Sequence, residues 1–307
     1  MLSRRRFLTI AAAAASLPAP LRAQPLHQWR GVALGADASI TLAHPRAEAI
    51  VARARAEIAR LERIFSLHDP GSALVRLNRA GRLAAPPFEL LECLSLASRV
   101  HAATGGRFDP TIQPLWAAHA EAHAAGKPPG PQVLAAALER TGWDAVGYGP
   151  EAVAFARPGM ALSLNGIAQG YIADKVAGLL HAEGLTDILI DTGEHRALGG
   201  RPGGGDWPIS LDDGQRLHRD AVHLRDRALA SSAPHGITFD AAGRVSHILD
   251  PLNGRPAPAH WRLISVTAPQ AGLADALSTA FCLMDEAAIA TALDAFDGVA
   301  LVHAQRV

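Results

Sequence analysis

The stretch SLNGIAQGYIADKVAGLL, residues 163–180, is the most distinctive segment of the chain. It begins with small and polar residues, among them Asn165-Gly166 and Gln169-Gly170, and continues into an apolar helical repeat. Glycine permits close backbone approach, and the N-terminus of a helix presents unpaired N–H groups that suit phosphate. An ordinary turn before a helix would give the same pattern. The stretch therefore predicts a strand-to-helix junction, and phosphate binding there is one of two interpretations.

Helical and extended patterns mix on both sides of this junction without strict alternation. Apolar residues at helical spacing predict long helices over residues 45–65 and 87–106, and two shorter helices over 272–284 and 286–296. Short apolar runs such as TDILID (186–191) predict buried strands. This irregular order favours an α+β fold over a doubly wound α/β fold.

The composition limits the classes of function. The 307 residues include 29 Lys+Arg and 29 Asp+Glu, so the net charge is zero, and 49% of the residues are hydrophobic. A chain of this length can form one large or two small domains, and its apolar content can build a sizeable core. The absence of a basic excess argues against nucleic acid as a partner, and an aromatic content of 5% argues against a platform that stacks single-stranded bases.

The first 23 residues have the pattern of an export signal. Arg4-Arg5-Arg6 is followed by Phe7-Leu8 and an Ala-rich run, which fits a twin-arginine leader. The apolar run at 7–17 is too short to span a bilayer. We therefore expect a signal peptide at residues 1–23, a mature chain at 24–307 without a membrane span, and a periplasmic location.

Four further residues are candidates for metal or redox chemistry. Cys93 and Cys282 lie in apolar helical patterns, so buried free thiols are favoured over a disulfide. His119 and His123 are one helical turn apart and form a possible metal pair. No third ligand is evident nearby, so a surface histidine face is the favoured interpretation of this pair.

The segment GLADALSTAFCLM (272–284) carries a possible Mg²⁺ site. Its apolar stripe leaves Asp275 and Thr279 on the opposite face, four residues apart and therefore adjacent. A carboxylate and a hydroxyl are hard oxygen ligands of the kind that Mg²⁺ prefers. A solvated helix face is the alternative interpretation. Similarly, SHILDPLNGRPA (246–257) and TGGRFDPTIQPLW (104–116) each contain polar residues that turns alone would explain.

Taken together, these segments have a distinctive order. FSLHDPGSALVRLNRAG, TGGRFDPTIQPLW, SLNGIAQGYIADKVAGLL, ILIDTGEHRALG, SHILDPLNGRPA and ADALSTAFCLM follow one another as in the ApbE family of FAD:protein FMN transferases. From about Ala33 to the C-terminus the chain resembles this family. The helix entry at 163–180 and the twin-arginine leader are most similar to those of the subgroup accessory to periplasmic nitrous oxide reduction.

The resemblance implies a fold, a reaction and partners. The fold would be ApbE-like, with a mixed sheet core flanked by helices and formed by residues 24–307. The reaction would be Mg²⁺-dependent transfer of FMN from FAD to a Thr or Ser of a periplasmic flavoprotein, releasing AMP. Two alternatives remain open, a Mg²⁺-dependent FAD pyrophosphatase and a non-enzymatic periplasmic flavin carrier.

The resemblance also assigns roles to residues of this chain. Asp275 and Thr279 would bind the metal through their side chains and Gly166 through its carbonyl, and Asp275 and His247 would take part in catalysis. The residues expected to contact FAD are Ser72, Asn78, Phe108, Asp109, Ser163, Gln169, His247 and Ile248. Two of these depart from the family pattern, which commonly has Asp where this chain has Ser163 and Lys or Glu where it has Gln169.

Overall fold

The computed structural model describes residues 25–212 and 217–307, and these residues form twelve strands and eight α-helices. The predicted signal peptide lies outside the described residues. The strands are β1 (His27–Ala33), β2 (Ala36–Leu42), β3 (Arg82–Ala84), β4 (Val146–Tyr148), β5 (Ala152–Phe155), β6 (Ile188–Asp191), β7 (His195–Leu198), β8 (Trp207–Asp212), β9 (Leu217–Leu224), β10 (Ala228–Ser232), β11 (Trp261–Ala268) and β12 (Ala300–Arg306). The helices are α1 (Ala47–Phe65), α2 (Ala73–Ala80), α3 (Phe88–Ala103), α4 (Gln113–Ala124), α5 (Pro131–Leu138), α6 (Ala168–Ala182), α7 (Ala271–Phe281) and α8 (Glu286–Leu293).

The main sheet has seven strands in the order β1-β2-β6-β7-β10-β11-β12. All six pairings in it are antiparallel. The α+β class is therefore confirmed, but the expectation of a mixed sheet is wrong for the described strands. Tight connections such as those of β1–β2 and β6–β7 can join only antiparallel neighbours, and no βαβ crossover places a parallel strand beside them.

Helices cover one face of this sheet and form the main core. The predicted helix after the 163–180 junction is confirmed as α6, which buries Ile172, Val176 and Leu180. α6 packs against α7, and α7 in turn packs against β10 and β11 with Leu277 and Phe281 fully buried. Each such side chain removed from water stabilises the fold by roughly 1.5–3 kcal/mol, so the α6–α7 pair is held firmly on the sheet.

A separate small core lies under the hairpin of β8 and β9. Trp207, Ile209 and Leu211 alternate along β8 with exposed residues and pack with Leu229 and Leu263 of the main sheet. The period of two residues is that of a strand with one buried face. This hairpin forms a second small cluster beside the main sheet.

The remaining elements form a small second sheet and a helix pair. β3, β5 and β4 form a three-stranded antiparallel sheet. α4 and α5 pack together, and Leu115, Ala137 and Leu249 form a third cluster that anchors the irregular segment 233–260. Cys93 and Cys282 are both free and buried, as predicted. In the described part of the chain, no helix is both long enough and apolar enough to cross a membrane.

Candidate metal and flavin site

The first turn of α6 contacts α7 very closely at Gly170. A Cβ atom at this position would lie 2.3 Å from the carbonyl oxygen of Ala271, so only glycine fits there. The Gly170 N–H donates a hydrogen bond of 3.2 Å to Asp275 Oδ2. The second glycine of the junction thus allows the backbone of α6 to reach the carboxylate that the sequence singles out as a metal ligand.

Asp275, Thr279 and Gly166, the three predicted metal ligands, lie in one region. Asp275 and Thr279 are one turn apart on α7, and a Cβ atom at Gly166 would lie 3.0 Å from Thr279 Oγ1. The alternative of a solvated helix face is wrong, because Asp275 is only 3% exposed. A carboxylate, a hydroxyl and a nearby backbone carbonyl are all hard oxygen donors, and this donor set fits Mg²⁺.

Buried acidic side chains are concentrated at this site. Burial raises the pKa of Asp275 to about 7, with a further rise from Asp174 and an opposing effect of the Gly170 N–H. Burial also raises the pKa of Glu194 well above its ordinary value, and Asp275 adds to that rise. Glu194 is held by a 3.2 Å hydrogen bond from the Ser231 N–H. A bound cation would favour the ionised forms of these buried acids.

The metal site would depend on one carboxylate and neutral oxygens. Within residues 25–212 and 217–307, no group of three or more His, Cys, Asp or Glu side chains is arranged to hold a metal ion. A set of this kind is compatible with Mg²⁺, which usually keeps several waters and shares substrate phosphate oxygens.

The end of β10 connects this region to His247. The Ser232 hydroxyl lies 2.7 Å from Ser278 Oγ and 3.5 Å from Thr279 Oγ1. Five residues further along, the carbonyl of Ile237 lies 2.7 Å from His247 Nδ1. Burial lowers the pKa of His247, and hydrogen bonds to the carbonyls of Ile237 and Pro234 oppose that effect. The imidazole is therefore held in its neutral form, with the Nδ1–H directed to the carbonyl.

The Phe108–Asp109 turn lies beside the strand-to-helix junction. The Ser163 N–H donates to the carbonyl of Pro110 across 2.8 Å, which places the two segments next to each other. Asp109 itself is occupied internally, since it accepts hydrogen bonds from the Thr111 N–H, the Thr111 hydroxyl and the Trp143 N–H. The Phe108 side chain is also mostly buried, at 6% exposure. Asp109 thus shapes the turn through its carboxylate.

An ion pair joins this turn to the SHILDP segment. Arg107 donates to Asp250 Oδ2, and Asp250 also accepts hydrogen bonds from the Leu252 N–H and the Asn253 amide. Ile248 lies two residues before Asp250 and is 8% exposed. The structure therefore brings together the three segments that contain Ser163, Phe108 and Ile248.

Ser72 and Asn78 have structural roles within the chain. Ser72 is fully buried at the N-terminus of α2, where its oxygen accepts from the Val75 N–H and its hydroxyl donates to the carbonyl of Ser66. The Asn78 amide makes two 2.8 Å hydrogen bonds with the backbone of Leu162. Asn78 thereby fixes the segment that leads into the junction, one residue before Ser163.

Gln169 lies against the turn between β6 and β7. Its carbonyl accepts a 2.8 Å hydrogen bond from the Thr192 hydroxyl. Its carboxamide lies over Gly193, where a Cβ atom would come within 3.0 Å of it. The side chain is partly exposed and so borders the site from the β6–β7 side.

The His119–His123 pair does not form the predicted surface face. His119 is 4% exposed, its Nε2 lies 2.8 Å from the carbonyl of Gly254, and its ring stacks on Phe239. The ring of His123 stacks on the rings of His119 and Phe239. α4 is covered on this side by the 233–260 segment, which sequence periodicity could not reveal because that segment is irregular.

Sequence reasoning missed several residues of the site. Glu194 and Ser232 lie in segments without a strong periodic signal, and Asp174 lies within the apolar repeat of α6. A possible signal for Asp174 is its position four residues after Gly170, which places both on one face of the helix.

Comparisons with known proteins agree with this architecture. An FAD:protein FMN transferase of Treponema pallidum (strain Nichols) is 30% identical over 264 residues, which cover 78% of this chain and 72% of the relative. One of Klebsiella pneumoniae (strain 342) is 26% identical over 270 residues, covering 83% and 75%. The crystal structure of the Pseudomonas stutzeri flavinyl transferase ApbE, in its apo form, aligns with a TM-score of 0.78 at 26% identity and covers 89% of this chain and 90% of its own.

The family model is the most direct of these findings, because it spans most of the chain and includes every residue assigned to the site above. It matches residues 34–302, from the end of β1 to the last strand. The chain therefore belongs to the ApbE family.

Proposed function

We propose that this protein transfers FMN from FAD to a Thr or Ser hydroxyl of a target flavoprotein and releases AMP, in a Mg²⁺-dependent reaction. The observation that carries the proposal is the convergence of Gly166, Asp275 and Thr279 beside the first turn of α6. Membership of the ApbE family supports the nature of the transferred group.

Asp275, Thr279 and the Gly166 carbonyl would hold the metal. When bound, Mg²⁺ neutralises the pyrophosphate of FAD and the AMP that leaves. In its ionised form, the buried Asp275 carboxylate would supply the negative charge for metal binding, and the absence of a side chain at Gly166 leaves the space next to Thr279 open. Thr279 is partly exposed, so the site faces solvent from which FAD would enter.

The segments around the junction would position the flavin. Ser163 and the Phe108 turn are hydrogen-bonded neighbours, and Arg107 joins that turn to the segment with Ile248. Gln169 borders the same region on the side of β6 and β7. Orientation of the pyrophosphate relative to the attacking hydroxyl contributes much of the rate in such reactions.

His247 is the candidate group for accepting the proton of the acceptor hydroxyl. In the neutral tautomer whose Nδ1–H donates to the Ile237 carbonyl, Nε2 carries the lone pair that could take up a proton. Burial favours the neutral ring, which is the form that acts as a base. The acceptor oxygen would then attack the FMN-side phosphorus, and the bond to the AMP oxygen would break.

The test is a reconstitution that measures two products of the reaction, with FAD binding to the protein measured alongside. The protein is incubated with FAD, with and without Mg²⁺, and with and without a candidate acceptor, and then AMP release and flavin fluorescence of the denatured acceptor are measured. The proposal expects both products only when Mg²⁺ and acceptor are present, and none with an acceptor whose target Thr is changed to Ala. AMP without an acceptor would instead indicate a pyrophosphatase, and tight FAD binding without AMP would indicate a carrier.

The location and the acceptor form a second part of the proposal. The Arg4-Arg5 leader supports export by the twin-arginine route, with residues 24–307 as the mature protein. The acceptor would then be a periplasmic flavoprotein, and the resemblance of the leader favours one of the nitrous oxide reduction system. Fractionation of cells and flavin fluorescence of their periplasmic proteins, with and without this gene product, would test both points.

A further inference from the structure

We propose that Asp174 is a positioning residue for the metal site: it holds the first turn of α7 against α6 and so fixes where Asp275 and Thr279 lie. The inference rests on the proposed function in that it assigns those two residues to the metal. Asp174 contacts neither of the proposed ligand side chains by hydrogen bond. It acts on the helix that carries them.

Asp174 provides the N-terminal cap of α7 from a different helix. One carboxylate oxygen accepts the N–H of Ala271 at 2.8 Å, and the other accepts the N–H of Gly272 at 2.9 Å. Gln270 occupies the capping position of α7 but makes no side-chain capping hydrogen bond. The exposed N–H groups of a helix start need such partners, and here a residue about 97 positions earlier in sequence supplies two of them.

The carboxylate is itself held in place. Arg196 of β7 lies 3.3 Å from Asp174 through its Nε. Burial raises the pKa of Asp174 to about 6, and the two N–H groups and Arg196 oppose that rise. The cap therefore joins three elements, because it connects α6, α7 and the main sheet at one point.

Two ties between α6 and α7 result, one helical turn apart. Gly170 donates to Asp275, and Asp174 accepts from Ala271 and Gly272. One tie alone would leave α7 free to rotate about it. Two ties fix both the rotation and the axial position of α7. A shift by one residue would turn the helix by about 100° and move it by about 1.5 Å, and either change would separate Asp275 and Thr279 from Gly166.

The test compares Asp174→Asn and Asp174→Ala with the full-length mature protein. The first readout is amide hydrogen exchange over residues 271–275 in metal-free protein, which needs no activity. The second is the Mg²⁺ concentration that half-saturates the rise in melting temperature, measured with Mg²⁺ alone. The third is the separation of kcat from KM for FAD in FMN transfer.

The matched control is Asp285→Ala. Asp285 caps α8 by accepting the Ala288 N–H at 2.8 Å and is exposed, so this variant also loses a helix cap but lies outside the site. It reports what a lost cap does to stability alone.

We expect Asp174→Ala to speed exchange at 271–275 and to raise the half-saturating Mg²⁺ concentration by about 10–100-fold, the usual effect of losing a residue that orients a ligand. Asp174→Asn keeps one acceptor oxygen and should fall between wild type and Asp174→Ala. Asp285→Ala should leave the Mg²⁺ response unchanged. kcat should fall more than KM for FAD rises.

If both Asp174 variants show the same amide exchange and the same Mg²⁺ dependence as the wild type, the inference is wrong. An effect on Mg²⁺ response equal to that of Asp285→Ala would also overturn it, because the loss would then be general destabilisation. A wild-type protein that binds Mg²⁺ but does not transfer FMN would refute the proposed function while leaving the exchange and Mg²⁺ results to decide the role of Asp174.

Discussion

The Gly170 N–H donates a hydrogen bond to Asp275 Oδ2 at 3.2 Å, and this bond joins the first turn of α6 to the second turn of α7. It explains why a glycine lies there, because any side chain would meet the backbone of Ala271. It also supplies a partner to a carboxylate that is otherwise costly to bury. The contact therefore couples the packing of two core helices to the orientation of the proposed metal ligand.

The first prediction concerns Gly170→Ala. The added Cβ would lie 2.3 Å from the Ala271 carbonyl oxygen, so α6 and α7 must separate. Overpacking of this kind costs about 1–3 kcal/mol. We expect a lower melting temperature and a loss of Mg²⁺-dependent stabilisation, both measured by thermal unfolding.

The control for this variant is Gly178→Ala on the same helix. Gly178 is exposed and a Cβ there meets nothing within 4 Å, so alanine should stabilise the helix by about 0.5–1 kcal/mol. Equal melting temperatures for the two variants would show that the close approach at Gly170 is unimportant.

The second prediction concerns Asp275 and Thr279. Asp275→Asn keeps an oxygen that accepts the Gly170 N–H but removes the charge, so FMN transfer should fall by roughly 10²–10⁴-fold, equivalent to about 3–5 kcal/mol of barrier. Thr279→Ala should be milder, since water can replace a neutral ligand. Initial rates of AMP release at saturating FAD would measure both effects.

The melting temperature of Asp275→Asn distinguishes a role of Asp275 in metal binding from a role in stabilising the fold. The raised pKa of Asp275 means that burial of its charge disfavours the folded state. Asp275→Asn should therefore match or exceed the wild-type melting temperature at pH 8 without Mg²⁺. A marked loss of stability in that buffer would argue that the carboxylate serves the fold.

The third prediction concerns the ion pair between Arg107 and Asp250. Arg107→Ala leaves Asp250 with its Leu252 and Asn253 hydrogen bonds but separates the Phe108 turn from the SHILDP segment. A lost hydrogen bond between charged groups costs about 1.5–3 kcal/mol. We expect KM for FAD to rise about tenfold or more, with a smaller change in kcat, in steady-state FMN transfer.

Arg306→Ala is a suitable control for Arg107→Ala. Arg306 of β12 also forms an ion pair, with Glu286 of α8 at 2.8 Å, but that pair is exposed and involves none of the segments assigned to the site. The same loss of charge there should leave KM for FAD unchanged. If both variants raise KM equally, the effect of Arg107 comes from overall charge.

The fourth prediction concerns export. Residues 1–23 lie outside the described structure, so the leader stays a prediction from sequence. Replacing Arg4 and Arg5 with Lys should leave the precursor in the cytoplasm, as shown by fractionation and blotting. Normal periplasmic accumulation of the variant would rule out the twin-arginine route for this protein.

Periodicity predicted the elements of the fold well because burial follows the helical repeat closely. The apolar patterns alone predicted α6, α7 and the TDILID strand. The position of Asp275 opposite the apolar stripe indicated a possible metal ligand. The order of the sheet was not predictable where its neighbours are distant in sequence, as for β2–β6 and β7–β10, because such pairing depends on long-range contacts that leave no local signal.

The site was less predictable where residues act through irregular segments. Ser72 and Asn78 occur in a segment that resembles the family pattern, yet their polar atoms bind the backbone of this chain. The role of Asp174 as a helix cap was not predictable, because the N–H groups that it binds lie about 97 residues away in sequence. His119 had the periodicity of an exposed face, and only the fold shows the segment that covers it.

The fifth prediction concerns His119 and pH. Its Nε2 faces the Gly254 carbonyl, so the neutral ring carries its proton there and Nδ1 is buried without a hydrogen-bond partner. Burial lowers the pKa of His119 from its ordinary value of 6.5, His123 lowers it further, and the Gly254 carbonyl opposes both. The unfolded chain therefore takes up a proton more readily than the folded chain. Stability from this group is complete above pH 6.5 and is lost as the pH falls from there toward the lowered pKa, by about 1.4 kcal/mol for each unit of depression.

His119→Gln tests this sign directly. Glutamine can still donate an N–H to Gly254 but cannot become charged, so its melting temperature should decline less than that of wild type between pH 7.5 and pH 5. The pKa values of His195 and His247 are also lowered by burial, and both residues remain in the variant, so their contributions cancel in the comparison. Because His119 supports the 233–260 segment that contains His247, acid should also impair FMN transfer less in the variant. Parallel pH profiles of stability for the two proteins would show that the buried His119 ring does not resist protonation.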